Sequence, residues 1–373
     1  MIHSAAIKGS GPTTEPLVGF QPFSPVETGS VGAMGGMQRM RSSAREFALL
    51  LAVGAFACAL TSGIGSERGG RAGSKGRPRP VELLAAGSVS SHAGPARDAT
   101  APASARIRVR VDEPYRGLGT WIDIYDHEVW RQPIRSVRSM AAHGVRTIYL
   151  QTSNYHRHQP FVHREGVEAI VDAAQEQGLQ VVGWYLPGFA DVRTDLRRVV
   201  RSIRMRTDAG NAFDSFALDI ESPEVRRPSV RTQRLLRLSE VIRREAGAAY
   251  PLGAIVASPD RLVRTDPYFW PEFPWRRLAE LYDVMLPMTY YTYRVRGPKD
   301  AAWYTAQNVQ LLRRETSGMK VPIHVVGGIS FDATGPETQG FVRTVAHKHV
   351  IGASYYTFPG ITLDQWKALS ALR

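Results

Sequence analysis

The chain has 373 residues, 43% hydrophobic and 22% charged, which is apolar enough for a sizeable core and excludes a wholly disordered protein. Its formal net charge of +13 divides into +7 up to position 110 and +6 beyond it, and no nucleic-acid-binding motif accompanies the excess, so no specific nucleic-acid partner is expected. The basic surface suits only weak association with acidic polymers, and the single cysteine, Cys58, excludes an internal disulfide framework.

The N-terminal part reads as an export segment. Arg39, Arg41 and Arg45 form a basic stretch ahead of FALLLAVGAFACAL, the uncharged run from Phe47 to Leu60 that suits a signal sequence. Residues 1–36 read as an upstream extension, because Met34, Met37 or Met40 would each start a conventional signal peptide. Cleavage after Ala55-Phe56-Ala57, a lipid on Cys58 and an uncleaved anchor all remain open. Residues 1–60 are therefore taken as extension plus signal peptide or anchor. The expected location is secreted or held on the outer face of the cell membrane, with that segment as the chain's membrane contact. Residues 61–106, rich in Gly, Ser, Pro and Ala, read as a disordered linker.

From residue 107 to 373 the apolar periodicity is regular. Strands are expected at 117–126, 147–153, 180–188, 215–222, 252–260, 283–294, 322–330 and 351–360, each followed by a helical stretch. Eight such units over 257 residues match the roughly 250 of a (β/α)8 TIM barrel. An open doubly wound sheet is the alternative, but no Gly-rich phosphate loop follows the first strand.

A barrel's site lies at the carboxyl ends of its strands. Those ends carry Trp121, Asp123 and Asp126, Gln151, Trp184 and Tyr185, Asp219 and Glu221, Asp260, Tyr290 and Tyr291, and Tyr355 and Tyr356. In FDSFALDIES, strand alternation puts Asp219 and Glu221 on one face and Phe216, Leu218 and Ile220 on the other. Adjacent carboxyls raise each other's pKa and suit proton donation. Ringed by aromatics, they suit a sugar, whose CH faces stack on rings while acids handle protons. The expected catalytic residues are Glu221, Asp219 and Asp123, and the expected substrate-binding residues are Tyr290, Tyr291, Tyr356, Tyr185, Trp184, Gln151 and Trp121.

FDSFALDIE resembles the fourth-strand signature of family 18 glycoside hydrolases, the chitinase-like proteins. The resemblance implies that Asp214 is the first acid of the motif, Asp219 the acid that orients a substrate acetamide and Glu221 the proton donor; Ala217 stands where that family has its middle Asp. MTYY, Met288 to Tyr291, is similar to the sixth-strand Met-Thr-Tyr-Asp. It implies an acetamide contact at Tyr290, with Tyr291 replacing the Asp. Tyr356 takes the place of the eighth-strand tryptophan. LDIE paired with Asp123 also resembles family 25 muramidases. Both resemblances imply an oligosaccharide or polysaccharide of 2-acetamido sugars as partner, cleaved by a monomer without a cofactor. Two acids on one strand sit on the same side of a bound sugar, so either the substrate's acetamide attacks or Asp123 supplies an opposing carboxylate.

Two rival readings stand beside this one. His156, His158 and His163 in NYHRHQPFVH have ligand-like spacing, although other strands lack the His or Cys that a metal site would draw together. No metal is expected. The other rival, favoured by Ala217 and Tyr291, is a barrel that binds glycans without cleaving them. The arginines of DVRTDLRRVVRSIRMR are expected on a solvated helix face.

Overall fold

The computed structural model describes residues 111–373; the expected extension, signal or anchor, and linker lie outside the described residues. Eight parallel strands alternate with helices: β1 Gly117–Ile122, β2 Thr147–Asn154, β3 Gln180–Leu186, β4 Ser215–Ile220, β5 Leu252–Val256, β6 Val284–Pro287, β7 His324–Ile329 and β8 Gly352–Tyr356. After each comes its helix: α1 Pro133–Ala142, α2 Arg164–Glu176, α3 Val192–Ile203, α4 Pro228–Ala246, α5 Trp275–Leu281, α6 Pro298–Glu315, α7 Gly335–His347 and α8 Leu363–Leu369. A further short helix, His127–Arg131, precedes α1. The sheet runs β6-β5-β4-β3-β2-β1-β8-β7. It closes between β6 and β7 through two isolated bridges, Met285 to Ile323 and Met288 to Val326, rather than a continuous ladder. This is the expected (β/α)8 barrel.

Local chemistry explains where the helices begin. Pro at the first turn, where its missing N–H costs nothing, opens α1, α4, α6 and α7. Asp191 caps α3 by accepting from the Arg193 and Thr194 amides, and Thr334 with Glu337 and Thr362 with Gln365 form capping boxes on α7 and α8.

The barrel interior is filled by aromatic rings. Trp121 of β1 stacks on Tyr149 of β2 at 4.3 Å and meets Trp184 of β3 edge-on at 5.7 Å, and its indole donates to Ser354 Oγ at 2.8 Å. At the amino ends of the strands, the turn Glu113–Tyr115 plugs the barrel. The Tyr115 and Ser215 hydroxyls are bonded at 2.5 Å, and His324 Nδ1 bonds the Tyr115 carbonyl at 2.7 Å. A side chain at Gly253 would sit 2.6 Å from the Tyr115 hydroxyl, so glycine there admits the plug. With one end plugged and the centre packed, the opposite end is the accessible mouth.

Candidate active site

The acids expected on β4 stand where alternation puts them. Asp219 lies within the strand and Glu221 just beyond it; Asp219 is 6% exposed. Burial first, and then the neighbouring Glu221, pushes the Asp219 carboxyl well above the usual range. Glu221 is pushed up to about 7 by burial, with Arg261 pulling the other way. At neutral pH the pair therefore holds a transferable proton. Asp219 Oδ1 has no hydrogen-bond partner. Ala217, two residues back on the same face, offers it no polar group.

Tyr290 completes this side of the mouth. Burial raises its hydroxyl pKa strongly, and the charges of Glu221, Asp219, Tyr293 and Asp123 raise it further, which places all three expected catalytic acids within electrostatic reach of one phenol. Its ring lies 6.0 Å from that of Tyr356, which in turn lies 6.4 Å from Trp121.

Asp123 is 5% exposed and held from several directions. The Tyr356 hydroxyl donates to its Oδ2 at 2.6 Å, and the Tyr125 amide donates to its Oδ1, also at 2.6 Å. Burial raises its pKa, and these two bonds oppose the rise. Asp126 sits behind it, accepting from the Asp123 amide at 2.9 Å; burial and the Asp123 charge hold the Asp126 carboxyl well above the ordinary range.

Register brings further groups to the same row. Gln151 of β2 pairs with Trp184 of β3, which pairs with Ala217 of β4. Gln151 Oε1 accepts from the Ile124 amide at 3.1 Å, while Gln151 Nε2 and the Trp184 indole nitrogen are buried without partners. The structure thus brings together Glu221, Asp219, Asp123, Tyr290, Tyr356, Trp121, Trp184 and Gln151.

It does not bring Tyr185 and Tyr291 there, a correction to the expected binding set. Tyr185 donates to Asp195 Oδ1 and accepts from Arg198, both at 2.7 Å, so it points outward onto α3. The Tyr291 hydroxyl bonds that of Tyr355, which donates to Thr338 of α7, and both tyrosines face outward. In WY at 184–185 and YY at 355–356 only one ring of each pair can face inward, because neighbouring strand residues alternate, whereas Tyr290 and Tyr291 part at the turn beyond β6. Asp214 is likewise structural: its carboxylate accepts from the Val181 amide at 2.7 Å and from Gln175. Asp260 is buried and paired with Arg264. His163 bonds the Ile124 carbonyl and stacks on Trp130, whereas His156 packs on Tyr155.

Three residues near Glu221 were not singled out from the sequence. Tyr155, in the loop after β2, shares a hydrogen bond with Ser222 and feels the Glu221 charge, as Tyr293 does after β6. Arg261, after β5, is bonded to Asp266 and lies 3.9 Å over the Phe269 ring. The buried Arg231 ties this wall together, donating to the carbonyls of Ser222 and Phe269 while its guanidinium lies 4.0 Å over Trp270. The only sequence signal for these was aromatic or basic character in loops on the mouth side.

No family model and no curated protein matches the chain. Solved structures do. An endo-β-1,4-mannanase from Thermotoga petrophila superposes with a TM-score of 0.53 at 11% identity, over 67% of this chain and 69% of that one. A class V chitinase mutant from Cycas revoluta in complex with (GlcNAc)3 gives 0.51 at 12% identity, covering 68% and 98%. An endo-1,4-β-mannanase from Rhizomucor miehei gives 0.51 at 10%, covering 69% and 93%. At such identities the likeness establishes the shared fold, an eight-stranded barrel of the kind on which these glycan-cleaving enzymes are built.

Proposed function

We propose that this chain is a glycosidase cleaving O-glycosidic bonds in a polysaccharide of 2-acetamido sugars, of the chitin or peptidoglycan type, with Glu221 as general acid. The observation that carries the reading is the Asp219–Glu221 pair, the first buried and the second half-buried, both carboxyls raised, beneath Tyr290 in an aromatic mouth. A carboxyl held near pH 7 donates a proton at the pH where a bond must break. The chitotriose complex among the similar structures supports the substrate class.

The geometry favours participation by the substrate's acetamide. Both Asp123 oxygens are engaged, whereas Asp219 keeps one oxygen without a partner. The acetamide oxygen attacks the anomeric carbon as its bond to the leaving oxygen breaks; Glu221 passes its proton to that oxygen, and Asp219 steadies the acetamide. Water then opens the intermediate, giving its proton back to Glu221. Asp123, fixed by Tyr356, shapes the floor. The chain works as a monomer, exported or anchored outside the cell through the N-terminal segment.

The test is Glu221→Gln, which removes the transferable proton at nearly constant shape. Cleavage of chitin oligomers or peptidoglycan falls ~100-fold or more while oligosaccharide binding persists. A second reading, a barrel that binds glycans without cleaving them, draws on Ala217, which leaves Asp219 without a carboxyl behind it. Wild-type protein that binds these glycans with no cleavage, and a Gln variant that binds them equally, would establish that reading instead.

A further inference from the structure

Away from the mouth, the barrel flank between α2 and α3 holds a cavity of about 470 Å³. Its floor is apolar, formed by Pro160, Phe161, Val200 and Met205; its wall is Arg164, Arg201, Arg204 and Arg206. Arg164 pairs with Glu168 and lies 4.9 Å over the Phe161 ring, and Arg204 pairs with Glu245. Arg201 and Arg206 have no carboxylate partner among the described residues; Arg206 donates to the neighbouring Met205 carbonyl. Along α3 the exposed Arg193, Arg197 and Arg201 recur one turn apart and lead to Arg204 at its end. That makes a cationic track about 16 Å long at 1.5 Å per residue.

Two features decide what would lie there. Guanidinium forks match carboxylate geometry, and the partnerless pair leaves a positive excess to be met. The apolar floor, where Pro160 and Val200 stay partly exposed, suits the CH face of a sugar ring, which a plain phosphate chain lacks. A bilayer would need protruding apolar side chains, but Phe161 and Met205 are recessed, at 8% and 3% exposure. We propose that this flank is a second glycan site: the Arg-walled cavity and the α3 track bind a strand of carboxylate-bearing polysaccharide, independently of the barrel mouth.

The test is calorimetric titration of the full chain with an oligogalacturonate, in parallel with neutral chitin oligomers, inorganic polyphosphate and anionic phospholipid vesicles. The expected result is salt-sensitive binding of the oligogalacturonate, weakened about 10-fold or more in Arg201→Ala/Arg206→Ala, since two charge-assisted bonds are lost. Arg237→Ala/Arg244→Ala on α4 removes the same charge elsewhere and leaves the affinity within about 2-fold. Saturating neutral chitin oligomer, directed to the mouth, does not displace the oligogalacturonate, which separates this site from the catalytic reading. Equal losses in the two arginine pairs, no oligogalacturonate binding, or tighter binding of polyphosphate or vesicles would overturn the proposal.

Discussion

The two faces of the barrel wall differ in how they hold their aromatic and acidic side chains. On the outer face, the Tyr185 hydroxyl is bonded to Asp195 and Arg198, and that of Tyr291 to Tyr355, so these buried hydroxyls find protein partners, although Arg198 Nε does not. On the inner face at the mouth, Asp219 Oδ1, Gln151 Nε2 and the Trp184 indole nitrogen have none. Burying a polar group unpaired costs about 1–3 kcal/mol, so three on the inner face near the mouth indicate that selection there is for something other than stability. The outer tyrosines hold the fold, and the inner residues leave polar atoms free to meet a ligand.

That contrast breaks first on the outer face. Asp195→Ala removes the acceptor for the Tyr185 hydroxyl and the Phe189 amide and leaves Arg198 without its nearby carboxylate. The expected loss is about 3 kcal/mol or more in denaturant unfolding, with the mouth's pH behaviour unaltered in whatever fraction remains folded. Asp219→Asn should do the reverse: stability held or slightly raised, because a buried carboxyl with one free oxygen is replaced by a neutral amide, and cleavage down ~100-fold. Oligosaccharides with and without the 2-acetamido group sharpen this case. Comparable wild-type rates on the two would exclude participation and return the second carboxylate's role to Asp123.

Smaller effects follow. Tyr356→Phe removes one of the bonds that oppose the rise in the Asp123 pKa, so that carboxyl moves further up. Substrate binding weakens by about 5- to 10-fold, readable by titration, with the fold intact. The pH dependence of stability is the finest test. The Glu221 pKa is higher folded than unfolded, so between the ordinary 4.5 and about 7 the folded state binds more protons and stability falls as pH rises through that window. Glu221→Gln, having nothing to titrate there, should flatten that slope in unfolding measured from pH 4 to 8.

Legibility followed the same division. The barrel and the Asp219–Glu221 pair were readable because both rest on periodicity, eight strand–helix units in one case and a spacing of two in the other. WY at 184–185 and YY at 290–291 and 355–356 offered no contrast between neighbours, so the inward ring could not be told from the outward one. The sixth strand made this worse: its apolar run suggested 283–294, but pairing stops at Pro287 and the chain turns into the short helix Tyr291–Tyr293. Arg231 and Arg261 act through carbonyls and ring faces brought together by long-range packing, which no local spacing records.

The closure between β6 and β7 carries a mechanical consequence. Seven of the eight joints in the hoop are ladders, two of them, β2–β3 and β7–β8, with a register shift, while this one is fastened by two bridges, with Thr289 reaching the Val326 carbonyl just above the second. Tyr290 is the next residue, so the phenol that faces all three acids stands on the weakest joint of the ring. When the hoop yields, the mouth widens there first, moving Tyr290 while β4 and its acids stay anchored between full ladders. Amide exchange records such local opening, and the Thr289 amide should exchange sooner than those of Asp219 and Ile220, giving the barrel a hinge on that side of its mouth.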